Sequence, residues 1–269
     1  MGTFYKISTF VFIMGLVGLN YLSAQITQID GKGYELFSPG LWQEMTAIGN
    51  EHSCGTANVH NDAITYSILI DQEGNQYRTI VIGGKEWMAE NLNTALYRNG
   101  DPISHITDNT QWSNQTEGAW AYYGNNSANE CPYGKLYNWY AVDDDRGLCP
   151  QGWRVATDAD WTDLTDLLGG LTEAGGKLKS TGTSQSGTGL WFQPNTDATN
   201  ETGFSAIPGG FRNSNGTFSN VVVVGYWWTA TETTNPLTAW LRTARFDNAA
   251  ISRSTNFKEF GFSVRCVKE

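Results

Sequence analysis

The sequence predicts an α+β domain, and three observations carry that prediction. One strongly capped helix stands in the middle of the chain. A series of short β-type segments follows it, separated by glycine or asparagine turns. Large rings take the place of charge as filling material: charged residues are 16%, aromatic residues 13%, with 11 Trp and 30 Gly among 269 residues. A globular chain usually has about a quarter of its residues charged. The expected architecture is therefore a small antiparallel sheet, two helices and long irregular loops.

Taken in order, regular structure is expected to start after a turn over Asp71–Gln76, with a strand over Tyr77–Ile82 that stops at Gly83-Gly84. Trp87–Leu92 reads as a short helix, and residues 99–118 are polar and turn-rich. Leu136, Trp139, Tyr140 and Val142 have helical spacing. The clearest helix begins at Thr157, with Asp160 three residues on completing a capping box. Trp161, Leu164, Leu167 and Leu168 form one apolar stripe, and Gly169-Gly170 ends it. Asp158, Asp160 and Asp163 sit in the first turns, where the helix dipole favours negative charge, so no metal is needed to explain them. Gly175–Gly189 reads as an exposed loop. Strands are expected at Phe204–Ile207, Val221–Val224, Tyr226–Thr229, Ala239–Phe246 and Phe260–Val267. In the last, Phe260, Phe262, Val264 and Cys266 alternate with Gly261, Ser263 and Arg265, which predicts one apolar and one polar face.

The first residues predict export. Lys6 precedes an apolar run from Phe10 to Leu22, which is shorter than the roughly 20 residues of a membrane-spanning helix. Leu22-Ser23-Ala24 offers a cleavage site, so residues 1–24 are read as a signal peptide. Residues 25–70 carry few regular signals and are read as an N-terminal extension, leaving 71–269 as the domain. No cysteine lies near the expected cut, which argues against a lipoprotein, and no later stretch is apolar enough for membrane insertion. The expected location is secreted, cell-surface or periplasmic. The formal net charge of −10 becomes −11 without Lys6. That sign disfavours nucleic acid and anionic lipid as partners.

Four cysteines remain: Cys54, Cys131, Cys149 and Cys266. With no Cys-x-x-Cys pair, an even count in an exported chain reads as two disulfides, for which three pairings are open. Cys149–Cys266 with Cys54–Cys131 is favoured. The first would tie the chain end to its middle, worth roughly 4–5 kcal/mol by chain entropy.

Several stretches then become recognisable: Ile82-Gly-Gly-Lys-Glu-Trp-Met-Ala-Glu-Asn-Leu92, Tyr133-Gly-Lys-Leu-Tyr-Asn-Trp-Tyr-Ala-Val142, Cys149-Pro-Gln-Gly-Trp-Arg-Val155, Asp160-Trp161, Gly203-Phe-Ser-Ala-Ile-Pro-Gly-Gly-Phe-Arg212, Tyr226-Trp-Trp-Thr-Ala-Thr-Glu232 and Gly261-Phe-Ser-Val-Arg-Cys-Val267. In this order they resemble the Fibrobacter succinogenes major paralogous domain family, found repeatedly in exported proteins of Bacteroidetes and Fibrobacteres. The resemblance covers about residues 53–269. That family is in turn similar to the C-type lectin-like superfamily, distantly to its formylglycine-generating, sulfatase-modifying branch. The resemblance implies a C-type lectin-like fold with closely spaced ends, and brings no established activity with it.

The residues offer little catalytic chemistry. The formylglycine-generating branch needs a reactive cysteine pair in its C-terminal third, and here no cysteine lies between Cys149 and Cys266. The histidines, His52, His60 and His105, have no motif partners. His52, Cys54 and His60 could hold a metal, but an exported cysteine is more often oxidised. Asp143-Asp144-Asp145 reads as a solvated turn, with calcium as the sharper alternative. Gln193-Pro194-Asn195 resembles the triplet with which calcium-dependent lectins hold metal and sugar, making Asn195 and Asp197 weak calcium candidates. The family's second element has only a loose echo in Phe246-Asp247-Asn248. Trp191, Trp227, Trp228 and Trp240, with Glu232, are the candidates for stacking a sugar, although core packing explains any single tryptophan as well. The expected function is a non-catalytic module with no resident cofactor that binds a glycan or a surface protein. An envelope scaffold is the alternative, and an enzyme the third reading.

Overall fold

The computed structural model describes residues 27–29, 32–36, 42–44, 52–54 and 59–269. The expected signal peptide, residues 1–24, lies outside them. The chain divides into two units, Met1–Ile48 and Gly49–Glu269. In the first, β1 (Thr27–Ile29), β2 (Lys32–Leu36) and β3 (Trp42–Glu44) form an antiparallel meander, with Thr27 opposite Tyr34 and Tyr34 opposite Glu44. The sequence reading of 25–70 as irregular missed these short strands.

The second unit is sheet-rich α+β. Its strands are β4 (Ser67–Ile70), β5 (Gln76–Ile82), β6 (Lys85–Met88), β7 (Ser104–His105), β8 (Ala119–Ala121), β9 (Leu136–Tyr137), β10 (Trp153–Val155), β11 (Gly209–Arg212), β12 (Phe218–Val221), β13 (Val224–Glu232), β14 (Thr238–Arg245), β15 (Ile251–Phe257) and β16 (Cys266–Lys268). Its helices are α1 (Asn109–Ser113), α2 (Glu130–Tyr133), α3 (Trp139–Val142), α4 (Asp158–Leu167) and α5 (Ala174–Leu178). Instead of one sheet there are several: a five-stranded sheet in the order β10-β16-β6-β5-β4, the meander β13-β14-β15, the hairpin β11-β12, and β7-β8-β9. The five-stranded sheet joins the first and last strands of this unit, so its ends meet in one layer.

Two local differences from the sequence reading have clear causes. Trp87–Leu92 is not a helix. Gly83 and Gly84 adopt φ of +61° and +82°, closing a two-residue hairpin that pairs Ile82 with Lys85 and Thr79 with Met88. Two consecutive positive φ values are what such a turn needs, and glycine supplies them without cost to a Cβ. Gly175–Gly189 is not all loop either, because α5 opens it. A Cβ on Gly175 would lie 2.5 Å from the Ala250 carbonyl oxygen, and one on Gly176 2.5 Å from that of Asp197. These glycines allow close backbone approach instead of marking flexibility.

The capping box is present: the Thr157 side chain accepts from the Asp160 N–H, and Asp160 accepts from the Thr157 N–H at 2.8 Å. The first-turn aspartates also hold distant elements. Asp160 takes Lys85 at 2.8 Å, while Asp158 takes Arg242 at 2.6 Å and Arg253 at 2.9 Å. Strand β13 stands between two apolar clusters. Trp227 packs with Trp161, ring centroids 5.9 Å apart, and the next residue, Trp228, packs with Phe262 at 4.5 Å. Period-two alternation sends the neighbours to opposite faces, and here both faces are core.

Candidate functional site

The cysteines pair as Cys54–Cys131 and Cys149–Cys266, each with Cα atoms 6.1 Å apart. Such bonds mark an oxidising environment. The two differ in setting. Cys149 and Cys266 are buried, and Val155 of β10 lies opposite Cys266 of β16. Cys54 is exposed and Cys131 half-buried.

Beside Cys54 opens a cavity of about 350 Å³, lined among others by Asn75, Gln76, Asn91, Asn93 and Glu130. Four segments build it, the first being His52–Cys54 itself. The turn before β5 supplies Asn75 and the start of β5 supplies Gln76, and Asp71 fixes that turn by accepting from the Asn75 N–H at 2.9 Å. The stretch after β6 supplies Asn91 and Asn93. Segment α2 supplies Glu130, which pairs with Lys135 at 2.9 Å. Asn91 is fully engaged: its amide donates to the Tyr133 carbonyl and to Ser263 Oγ, and its Oδ1 accepts from Trp227 and Arg265. By contrast, the Gln76 side chain, Asn75 Oδ1 and Asn93 Nδ2 make no hydrogen bond among the described residues.

Beneath the cavity lies a buried charge network. Arg265 is wholly buried. It donates to Asn91 Oδ1 at 2.9 Å, to the Met88 carbonyl at 2.9 Å, and to the Phe204 and Ser205 carbonyls at 3.0 Å each. Burial pushes its pKa down, opposed by the charge of Glu90. Glu90 accepts from the Ser53 N–H and from His60 Nε2, both at 2.8 Å, and also from the Ser53 hydroxyl. Burial disfavours its charge, but the two imidazoles and Ser53 outweigh that and hold the carboxyl at about 2. Burial lowers His52 to about 4 and lowers His60 as well, so both rings are neutral near pH 7.

His60 Nδ1 also meets Ser205 Oγ at 3.0 Å, so Ser205, His60 and Glu90 form a hydrogen-bonded chain of hydrolase-like composition. Ser205 is fully buried and its hydroxyl engages the Gly203 carbonyl and the Asn200 amide. In this arrangement the chain fastens elements together and presents no reachable nucleophile.

The other sequence candidates fall elsewhere. Trp191, Trp227 and Trp228 have 0% exposure, and their indole N–H groups are used internally, on the Ala206 carbonyl, Asn91 Oδ1 and the Tyr137 carbonyl. Their rings are core, with no face open for stacking a sugar. Trp240 is half-buried, with the Arg253 guanidinium 3.4 Å from its ring centroid, and Glu232 is paired with Lys258. These residues do not converge on the cavity.

Asn195 is buried, donating to the Ser180 and Gly182 carbonyls, while Asp197 is exposed. This corner already contains a cation of the chain's own. The Lys179 ammonium, wholly buried, donates to the carbonyls of Thr196, Arg245 and Asn248 at 2.8, 3.0 and 2.9 Å. Asp197 and Asp247 favour its charge, against the burial that lowers it to about 8. The ammonium makes no hydrogen bond to Asn195 or Asp197, and Asn195 Oδ1 is buried with no hydrogen-bond partner among the described residues. In the Asp143–Asp145 turn, Arg146 neutralises Asp144 at 2.8 Å.

Sequence reasoning did not single out Glu90, Asn91 or Arg265. A signal was there: each is a polar residue inside an apolar run, in Trp-Met-Ala-Glu-Asn-Leu and Phe-Ser-Val-Arg-Cys-Val. A charge in such a run is solvent-facing or paired in the core. The expected polar face of 260–267 is in fact buried, since Gly261, Ser263 and Arg265 are as covered as their apolar neighbours.

Residues 80–268 match the Fibrobacter succinogenes major domain, and the chain belongs to that family. No curated protein matches the chain. No solved structure does either.

Proposed function

We propose that this member of the Fibrobacter succinogenes major domain family is an exported, non-catalytic binding module that takes a glycan in the cavity beside the Cys54–Cys131 bond. The amide lining of that cavity carries the reading. Gln76, Asn75 Oδ1 and Asn93 Nδ2 offer unspent donors and acceptors on rigidly held segments, which suits the mixed donor–acceptor character of sugar hydroxyls. A volume of about 350 Å³ is at the lower end of ligand cavities and suits one or two sugar rings better than a flat protein surface.

Export rests on the Lys6-to-Ala24 pattern and the two disulfides. A C-type lectin-like fold is supported by the meeting of β4 and β16 in one sheet, the α4 helix and the long irregular stretches. A glycan array probed with residues 25–269 tests the function. Binding that drops at least about tenfold in a Gln76→Ala/Asn93→Ala variant supports it, the scale of two lost hydrogen bonds. No binding above background, with or without calcium, would sink it.

A further inference from the structure

The wall of the cavity holds a second arrangement that sugar recognition does not use. Three potential ligand atoms, His52 Nδ1, Cys54 Sγ and Cys131 Sγ, lie within 4.8 Å of one another. His52 Nδ1 is 2.8 Å from Cys54 Sγ and 4.0 Å from Cys131 Sγ. The Cys54 N–H donates to the same nitrogen at 3.3 Å, which marks Nδ1 as the ring's lone-pair side. The other nitrogen, Nε2, is buried with no hydrogen-bond partner among the described residues. A covered imidazole therefore directs its engaged edge at two sulfurs.

The two disulfides also differ in reach. Cys54 is exposed, whereas Cys149 and Cys266 are 1% and 0% exposed, so an external thiol meets the first bond and not the second. Attack on a disulfide depends on such access.

We propose that the Cys54–Cys131 bond is exchangeable for a metal: once it is reduced, His52, Cys54 and Cys131 form a three-ligand site for Zn²⁺, with a fourth position open to the cavity. The balance is complete. An external dithiol breaks the Sγ–Sγ bond through a mixed disulfide and becomes a disulfide itself, and Cys54 and Cys131 become thiols. Zn²⁺ then binds both sulfurs and the neutral imidazole, and two protons leave to solvent. Zinc–sulfur bonds of about 2.3 Å and zinc–nitrogen bonds of about 2.0 Å set ligand atoms roughly 3.5–3.8 Å apart in a tetrahedron. The observed nitrogen–sulfur distances of 2.8 and 4.0 Å bracket that separation, and the two sulfurs, bonded to each other in the disulfide, must swing apart to reach it once the bond is open, between Cα atoms 6.1 Å apart. Two cysteines and one histidine with an open position form a known zinc set of the kind that can retain a water. His52 and Cys54 both line the cavity, which gives that water its place.

The test uses the whole chain and no glycan, so it stands or falls apart from the reading above. Mild phosphine reduction followed by thiol alkylation and mass spectrometry should label two cysteines, Cys54 and Cys131. After removal of the reductant without air, Zn²⁺ titration against a chromogenic chelator should find one ion per chain. Co²⁺ in its place should give a thiolate charge-transfer band. His52→Ala, which keeps both thiols, should weaken zinc binding by at least about tenfold, the scale on which even outer partners of a metal site act. Cys54→Ser/Cys131→Ser should bind none. Labelling of all four cysteines at once, zinc uptake no greater than that of the double serine variant, or equal affinity in His52→Ala would each overturn the proposal.

Discussion

Two of the cations buried in the second unit, Arg265 and Lys179, are held in opposite ways. Arg265 spreads its charge over four acceptors, and the carboxylate of Glu90 lies in the same buried cluster. Lys179 concentrates its charge on one nitrogen that three backbone carbonyls surround, with Asp197 and Asp247 acting only through space. The difference follows the chemistry of the two heads. A guanidinium is a planar fork that ties several segments at once, and an ammonium is a point charge that closes one loop corner. Arg265 gathers β6, the segment before β11 and the floor of the cavity. Lys179 clamps the ends of α5 and β14 to the Asn195 loop.

Substitution should separate the two most strongly. Arg265→Met takes the donor from three carbonyls, leaves Asn91 Oδ1 to Trp227 alone and removes a cation from the Glu90 cluster. The expected loss is about 4 kcal/mol, read from urea midpoints. Lys179→Met strands carbonyls only, and the expected loss is about 2–3 kcal/mol. Equal losses would mean that the Glu90 charge adds nothing on the Arg265 side.

Alkaline pH should sharpen the contrast on the lysine side. With a folded pKa of about 8 against 10.5, the folded chain has shed this proton in a range where the unfolded chain still holds it. Stability from this group therefore rises from about pH 8 to 10.5, and Lys179→Met should lack the rise in thermal scans. The smallest effect belongs to the arginine side in acid. His60 is held below 6.5 by burial, so the unfolded chain takes up its proton first as pH falls. Stability should decline below about pH 6.5, and His60→Gln should make that limb shallower, the His52 share remaining, without moving the alkaline one. An unchanged acid limb would show that His60 is not buried neutral.

What the sequence revealed follows the same division between local and long-range causes. The Thr157 cap and the buried pair Trp161 and Leu164 are contained within one helix and were legible, whereas Leu167, expected on the same stripe, is 58% exposed. Also legible was β14, whose two faces differ. Strand β15 was not, because Ser252–Thr255 all face solvent and no alternation survives. Gly83-Gly84 was read as a stop when it is the turn of a hairpin. The favoured cysteine pairing is the one observed. The buried charges were the main omission. Period-two logic placed Arg265 on the polar face of its strand, and only knowledge of what covers that face reveals a core cation. The tryptophans erred in the other direction: abundant rings suggested a ligand surface, but in β13 they fill two cores at once.

The two disulfides have a mechanical consequence. They enclose 77 and 117 residues in loops that do not overlap along the chain. If the second unit is pulled from its ends, neither loop can extend while its bond holds. Only the link from 131 to 149 and a few terminal residues can straighten, releasing less than about 100 Å at roughly 3.5 Å per residue. Reducing the exposed bond would release the first loop while the buried bond kept the second closed, a two-step lengthening that single-molecule pulling with added reductant would read directly.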